Sequence, residues 1–454
     1  MDGEAVFKLI CDRVPEAMSR LNVPGVSVGV YSAGREFGAS FGVTSVRNPL
    51  PVNEQTLFQI GSNTKTFVAT AAMRLVEAGA LDLDAPILTC LPDFRMRDAD
   101  VTARVTMRHL MTHTGGWEGD VFLDTGDGDD ALGRYVAAMA ELPQLTPLGT
   151  QWSYNNSAFM LAGHVIAKIT GKTFEAALKE LVIDPLGLRR SFIFPRDVMD
   201  HRFATGHASI NEQSHALAPW ALPRSSWPAG GIAASVMDLV RYGRFHLGDG
   251  RSASGDQILS RESLAAMQTT ICKGQLDNTM GLSWWLLKVG WVKTVFHGGG
   301  TLGQISAFNL YPELDFAFAI FTNSTTGGAL IREVTGEPIA ELIGYRPPAP
   351  AQIPMTVEQL GEYAGRYVGQ LDDAILYPGD GCLMMRNESK GGFPTTTTPP
   401  PKHNPPPTRV AFIGKDLLLA LDGPAKETRA EFLRDATGTI IWMRAGGRLH
   451  PREK

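Results

Sequence analysis

Ser62 and Lys65, in the run Gly61-Ser62-Asn63-Thr64-Lys65, lie three residues apart, a spacing that puts two side chains on one helical face within a turn of each other. A lysine so placed can take the proton of the serine hydroxyl, provided that desolvation or a neighbouring cation keeps its amine neutral part of the time. Free N–H groups at a helix start favour negative charge developing near Ser62. Alone, the pair fits an N-cap serine followed by a surface lysine equally well. Two further polar strings change the balance: Trp152-Ser153-Tyr154-Asn155-Asn156 ahead of an apolar helix, and His297-Gly298-Gly299-Gly300 ahead of a strand pair. Tyr154 can relay a proton, Asn156 can donate to and accept from a substrate amide, and the glycines let a substrate backbone approach a strand edge closely.

The elements that must position these residues are legible in outline. After an amphipathic first helix, Pro24 to Ser32 and Glu36 to Val43 are short and β-rich around Ala33-Gly34-Arg35, which predicts a hairpin. From Asn63 to Ala80, Phe67, Val68, Ala71, Ala72, Leu75 and Val76 recur at helical spacing on one face, with Gly79 as a stop. Further helices are predicted near Asp130 to Glu141, Asn156 to Thr170, Thr173 to Val182 and Ala234 to Leu247. Strands return at Gln304 to Tyr311 and Asp315 to Thr322. Sheet, helical insertion, sheet gives an α/β first domain over 1–345. The proline-rich stretch 346–355 reads as a linker. Residues 356–454 follow as a small domain of short, turn-separated strands, an antiparallel barrel or sandwich, with an exposed, low-complexity loop at 391–408.

The three polar strings, with HLMTHTGGW, PAGGIAASVMDLVRYGRF and the residues around each, resemble the serine β-lactamase and penicillin-binding-protein superfamily. The resemblance is to the class C β-lactamase, D-aminopeptidase and esterase branch, over roughly residues 5 to 340. It implies a β-lactamase-like transpeptidase fold, an antiparallel sheet flanked by helices plus a helical region. It also implies that Ser62 is the acylated nucleophile, Lys65 its base, Tyr154 the tyrosine of the Y-x-N motif and Asn156 the substrate amide contact. His297, Gly298 and Gly299 match the third motif, and the N–H groups of Ser62 and Gly300 would form the oxyanion hole. Penicillin-recognising members carry lysine where this chain has His297, and a histidine is mostly neutral at pH 7. The resemblance is therefore closest to D-aminopeptidases, related peptidases and esterases, acting on a small molecule or short peptide without metal or organic cofactor. The C-terminal domain resembles, more loosely, the lipocalin-like domains of such peptidases, which can shape the active-site entrance or a homo-oligomer contact.

Composition limits the alternatives. The 454 residues include 42 Lys plus Arg against 47 Asp plus Glu, a charge of -5, with 44% hydrophobic residues. No basic run suits a nucleic-acid backbone, and no apolar run suits a membrane span. Asp2 and Glu4 stand where a signal peptide needs basic residues, so a cytoplasmic location is expected. Four cysteines without paired spacing form neither a disulfide framework nor a thiolate metal site. Gly38-Ala39-Ser40-Phe41-Gly42 matches the nucleophile elbow of another hydrolase fold, but the hairpin pattern makes Ser40 a strand residue. His109 and His113 are read as structural loop histidines, and Asp120 to Asp130 as a solvated loop near the site mouth. Trp117, Trp152 and Trp227 suit either an apolar substrate wall or core packing.

Overall fold

The hairpin forms where the sequence places it. Gly25–Ser32 and Arg35–Gly42 pair antiparallel, joined by Ala33 and Gly34, whose positive φ angles close the turn. In the computed structural model, which describes residues 1–379, 381–390, 406–423 and 425–453, this hairpin is one edge of an eight-stranded antiparallel sheet. The order continues through Phe316–Thr322, Ile305–Tyr311, Val292–Gly300 and Trp285–Val289 to two short strands, Thr279–Met280 and Cys272–Lys273. Gly25–Ser32 and Phe316–Thr322 are almost wholly buried because both faces are covered. Helices Gly3–Leu21 and Gly327–Ile343 pack on one face around Val6, Ile10, Val14 and Leu330. Helix Val236–Leu247 covers the other and links the sheet to the helical region.

The helix carrying Lys65 runs from Thr64 to Glu77 behind a short 3-10 turn, Gly61–Asn63. The one-sided apolar pattern undersells its burial. Every residue from Thr64 to Met73 is buried, because the helix is enclosed between Asn156–Thr170, Trp227–Gly230 and Lys179–Ile183. Its polar members are satisfied inside: Thr66 and Thr70 donate to the helix's own carbonyls, and the Thr70 hydroxyl meets the Tyr242 hydroxyl at 2.7 Å. Helix Asn156–Thr170 spans the predicted residues and ends at Gly171 in the left-handed region.

Residues 346 to 352 form neither helix nor strand, and Ile353 then bridges to Phe412. The C-terminal domain is an eight-stranded antiparallel sheet from Gly365–Val368 to Arg448–Pro451, closed into a barrel by a bridge between Tyr367 and Arg452. Arg429–Arg434 and Arg448–Pro451 are strands that the sequence pattern did not mark, being interrupted by arginines and a glutamate. Of the loop expected at 391–408, residues 391–405 lie outside the described residues, and Thr408 already opens a strand. Among the described residues no helix is long and apolar enough to cross a membrane.

Candidate active site

Ser62 stands in the tight turn ahead of the buried helix, and the Lys65 ammonium nitrogen lies 3.0 Å from its Oγ. Lys65 is 0% exposed. Its Nζ donates to the Ala229 carbonyl at 2.6 Å and lies 5.0 Å from the Tyr154 ring centroid, with no carboxylate in ion-pair contact among the described residues. Burial, and secondarily the Arg448 guanidinium, hold its pKa well below the usual lysine range. Both effects disfavour the charged ammonium, the direction that proton abstraction requires.

Tyr154 reaches the same point from the N-terminus of helix Asn156–Thr170. Asn155 caps that helix, accepting from Ala158 N, and its own N–H donates to His113 Nδ1 at 3.0 Å. His113 stacks on the Tyr154 ring at 4.4 Å, and Tyr154 N donates to Gly447 O of the C-terminal barrel at 2.8 Å. Burial pushes the phenol up, while Arg448 and the Ser62 hydroxyl pull the other way. Asn156 Nδ2 donates to Asp120 Oδ1 at 2.5 Å, which leaves the Asn156 carbonyl as the group free to accept from a substrate N–H.

His297 to Gly300 are the end of strand Val292–Gly300 rather than a lead into the following pair. On one side the strand pairs through Gly300 with Ile305. On the other its partner stops at Trp285 opposite Phe296, so the glycine edge is locally unpaired and faces the cavity. A Cβ on Gly61 would lie 2.6 Å from Gly300 N, so the backbones before Ser62 and at Gly300 are in contact. Ser62 and Gly300 both line the cavity beside this contact. His297 is buried and its Nδ1–H donates to Gly298 O at 2.6 Å. Burial, then Lys65, lower its pKa to about 3, so the ring is neutral at pH 7 and its Nε2 is a buried acceptor without a partner.

A cavity of about 820 Å³ joins Ser62, Tyr154, Asn156 and His297 to Gly300 with the mouth of the barrel. Two expectations are corrected here. Trp117 is 1% exposed, donates to Ser157 Oγ and belongs to the core, and Trp227 donates to Leu222 O behind the wall. Neither lines the cavity; Trp285 does. The stretch from Asp120 is not all solvated either. Asp120 is 4% exposed and bridges Asn156 to Arg448, whose Nε donates to Asp120 Oδ2 at 2.9 Å. Arg448 lies 4.5 Å from the Tyr154 ring centroid, on a strand that follows the tight Gly446-Gly447 turn. The second domain thus places a guanidinium at the site, where the third motif carries the uncharged His297. Only the Gly-Gly-Arg turn hints at it in the sequence, where Arg448 and Asp120 are 328 residues apart. His113, read as a loop histidine, is a fully buried backing to Tyr154. His109 does serve locally, its Nδ1 closing a helix cap with Thr106. Ser40 sits in mid-strand, its hydroxyl 2.9 Å from that of Ser27.

This fold and site define a serine hydrolase of the β-lactamase type. Residues 12–336 match the Beta-lactamase family, to which the chain belongs. Penicillin-binding protein 4 of Amycolatopsis lactamdurans is 33% identical over 362 residues, covering 76% of this chain and 93% of that protein. Esterase EstB of Burkholderia gladioli is 40% identical over 153 residues, 31% of this chain and 39% of the esterase. Among solved structures, SurE aligns over 99% of both chains at 26% identity with a TM-score of 0.77, and SurE with D-Leu at 25% identity and 0.75.

Proposed function

We propose that the protein is a peptidase or amidase of the D-aminopeptidase type, cleaving the amide of a small substrate through an acyl-enzyme on Ser62. The observation that carries this is the buried, unpaired Lys65 amine 3.0 Å from Ser62 Oγ. Neutral Lys65 takes the Ser62 proton as Oγ attacks the amide carbon, and the carbonyl oxygen gains its negative charge beside the N–H groups of Ser62 and Gly300. Tyr154, between Lys65 and Arg448, gives its phenol proton to the leaving nitrogen as the C–N bond breaks and regains one from the Lys65 ammonium, so that Lys65 is neutral again. Water then attacks the ester carbon and gives its proton to Lys65, which returns a proton to Ser62 Oγ as the bond to it breaks, releasing the acid and restoring both residues.

Amide selectivity is supported by the free strand edge at Gly298 and Gly299, to which an extended peptide can add, and by the Asn156 carbonyl held open by Asp120. Glu118, Asp120 and Asp372 border the cavity and suit a substrate ammonium, while Arg448 suits a carboxylate. The likeness to SurE with D-Leu supports a substrate containing a D-residue. A carboxylesterase is the second reading, favoured by the local likeness to EstB. Hydrolysis of D-alanine p-nitroanilide and of p-nitrophenyl butyrate, with Ser62→Ala as the blank for both, separates them. Ser62-dependent cleavage of the anilide is expected. Ester cleavage alone overturns the peptidase reading in favour of the esterase.

A further inference from the structure

The cavity does not end at Arg448. From this rim residue the strand register leads into the barrel: Arg448 pairs with Ala445, Ala445 with Ala430, and Ala430 with Leu418. Across the lumen Ala420 and Ala374 also face the cavity, opposite Val410 and Asn387 in their ladders. Inward-facing positions of a small barrel are ordinarily filled by large side chains. Here the end facing Ser62 is ringed by alanines.

The far end is filled in the ordinary way. Tyr363, Tyr367, Phe412 and Phe432 pack on one another, mostly with tilted rings, with centroids 4.4 to 6.4 Å apart. The lumen is thus an apolar cup, closed by aromatics at its base and open onto the groove that holds Ser62. The barrel is held in this orientation by Tyr154 N to Gly447 O, Leu449 N to Ser153 Oγ at 3.2 Å, and Arg448 to Asp120. Asn387 and Thr428 also border the cup, but alanine, valine, leucine and methionine make up most of its wall, which gains little from water and much from hydrocarbon.

We infer that the open end of the barrel is an apolar subsite of the hydrolase, taking an aliphatic side chain or acyl tail of the substrate that lies past Arg448 from Ser62. The inference rests on the cavity being the one in which Ser62 is acylated, and it adds to that reading the chemical class of a substrate group. Arg448 at the rim gives the simplest probe: linear aliphatic carboxylates, from acetate to octanoate, present an anion to the guanidinium and a chain to the cup.

Their affinities are measured by calorimetry on the full-length Ser62→Ala protein, so that binding is read without turnover and the result does not depend on the hydrolytic reading. The expected result is an affinity that rises about threefold to fourfold per methylene once the chain passes the rim. Ala430→Phe, which fills the cup, removes that increment. Ala445→Leu is the second variant, and the circular dichroism and melting temperature of both establish that the barrel is folded. A dissociation constant independent of chain length overturns the inference. So does a chain-length increment that survives in folded Ala430→Phe and Ala445→Leu proteins, since the tail then lies elsewhere.

Discussion

Gly299→Ala is the smallest change that tests how the third motif holds Ser62. A Cβ at this position would lie 1.9 Å from the Ile60 carbonyl oxygen and 2.5 Å from Ser306 Oγ, so the strand or the turn must retreat by about 1.5 Å to reach ordinary contact. That carbonyl is a junction: it accepts from Ser306 Oγ at 2.9 Å, from Asn63 Nδ2 at 3.1 Å and from Asn63 N at 3.3 Å. At about 1 kcal/mol for each hydrogen bond, losing the junction costs about 3 kcal/mol. In a protein of this size that lowers the melting temperature by roughly 3 to 4 °C. Ile60 is two residues from Ser62, so the displacement is passed to the nucleophile, and a misplacement near 1 Å slows acylation about a hundredfold. The assay is the rate of Ser62 labelling by a fluorophosphonate, measured at 10 °C where the variant is folded, beside a thermal melt. A variant that labels and melts like the wild type would refute the reasoning.

Other expectations follow from the same geometry. Tyr154→Phe, which keeps the stacking on His113, should slow amide turnover by about two orders of magnitude, read by stopped-flow acylation; near-normal rates would assign proton transfer to Lys65 or water. Arg448→Met removes a cation that helps to keep Lys65 neutral, and leaves Asp120 unpaired beside it. Activity that needs neutral Lys65 rises with pH through the Lys65 pKa, so raising that pKa shifts the acidic limb of the kcat/KM profile to higher pH; a fixed limb contradicts the assignment. His297, with a pKa of about 3, stays neutral from pH 5 to 8. His297→Gln should therefore leave the shape of the profile in that range unchanged, and loss of an inflection near pH 6.5 would show that the ring titrates.

What the sequence reveals and what it hides divide along contact order. Ser62 and Lys65 are legible because a helix fixes their relation within four residues, and the hairpin and Asn156–Thr170 because local periodicity and Gly171 mark them. Helical spacing locates Phe67 and Val68 but says nothing of the second layer that buries Thr66 and Thr70 as well. Strand Val292–Gly300 is masked by its three terminal glycines, which lower strand propensity while opening an edge to substrate. Trp117 and Trp227 mislead because a tryptophan beside a functional motif serves the core as readily as the pocket. His113, Asp120 and Arg448 are hidden for the opposite reason. Asp120 and Arg448 meet only when a barrel hairpin docks on Tyr154, and His113 meets the Tyr154 ring across some forty residues of chain, contacts that no local pattern encodes.

The central claim, that Ser62 is acylated with Lys65 as its base, is tested most directly by peptide-mapping mass spectrometry after brief exposure to an activated ester at pH 8. The account predicts an acyl adduct on the peptide containing Ser62, absent in Ser62→Ala and formed far more slowly in Lys65→Met. An adduct on Ser40 or another hydroxyl, or a Lys65→Met protein acylated on Ser62 at the wild-type rate, would contradict it.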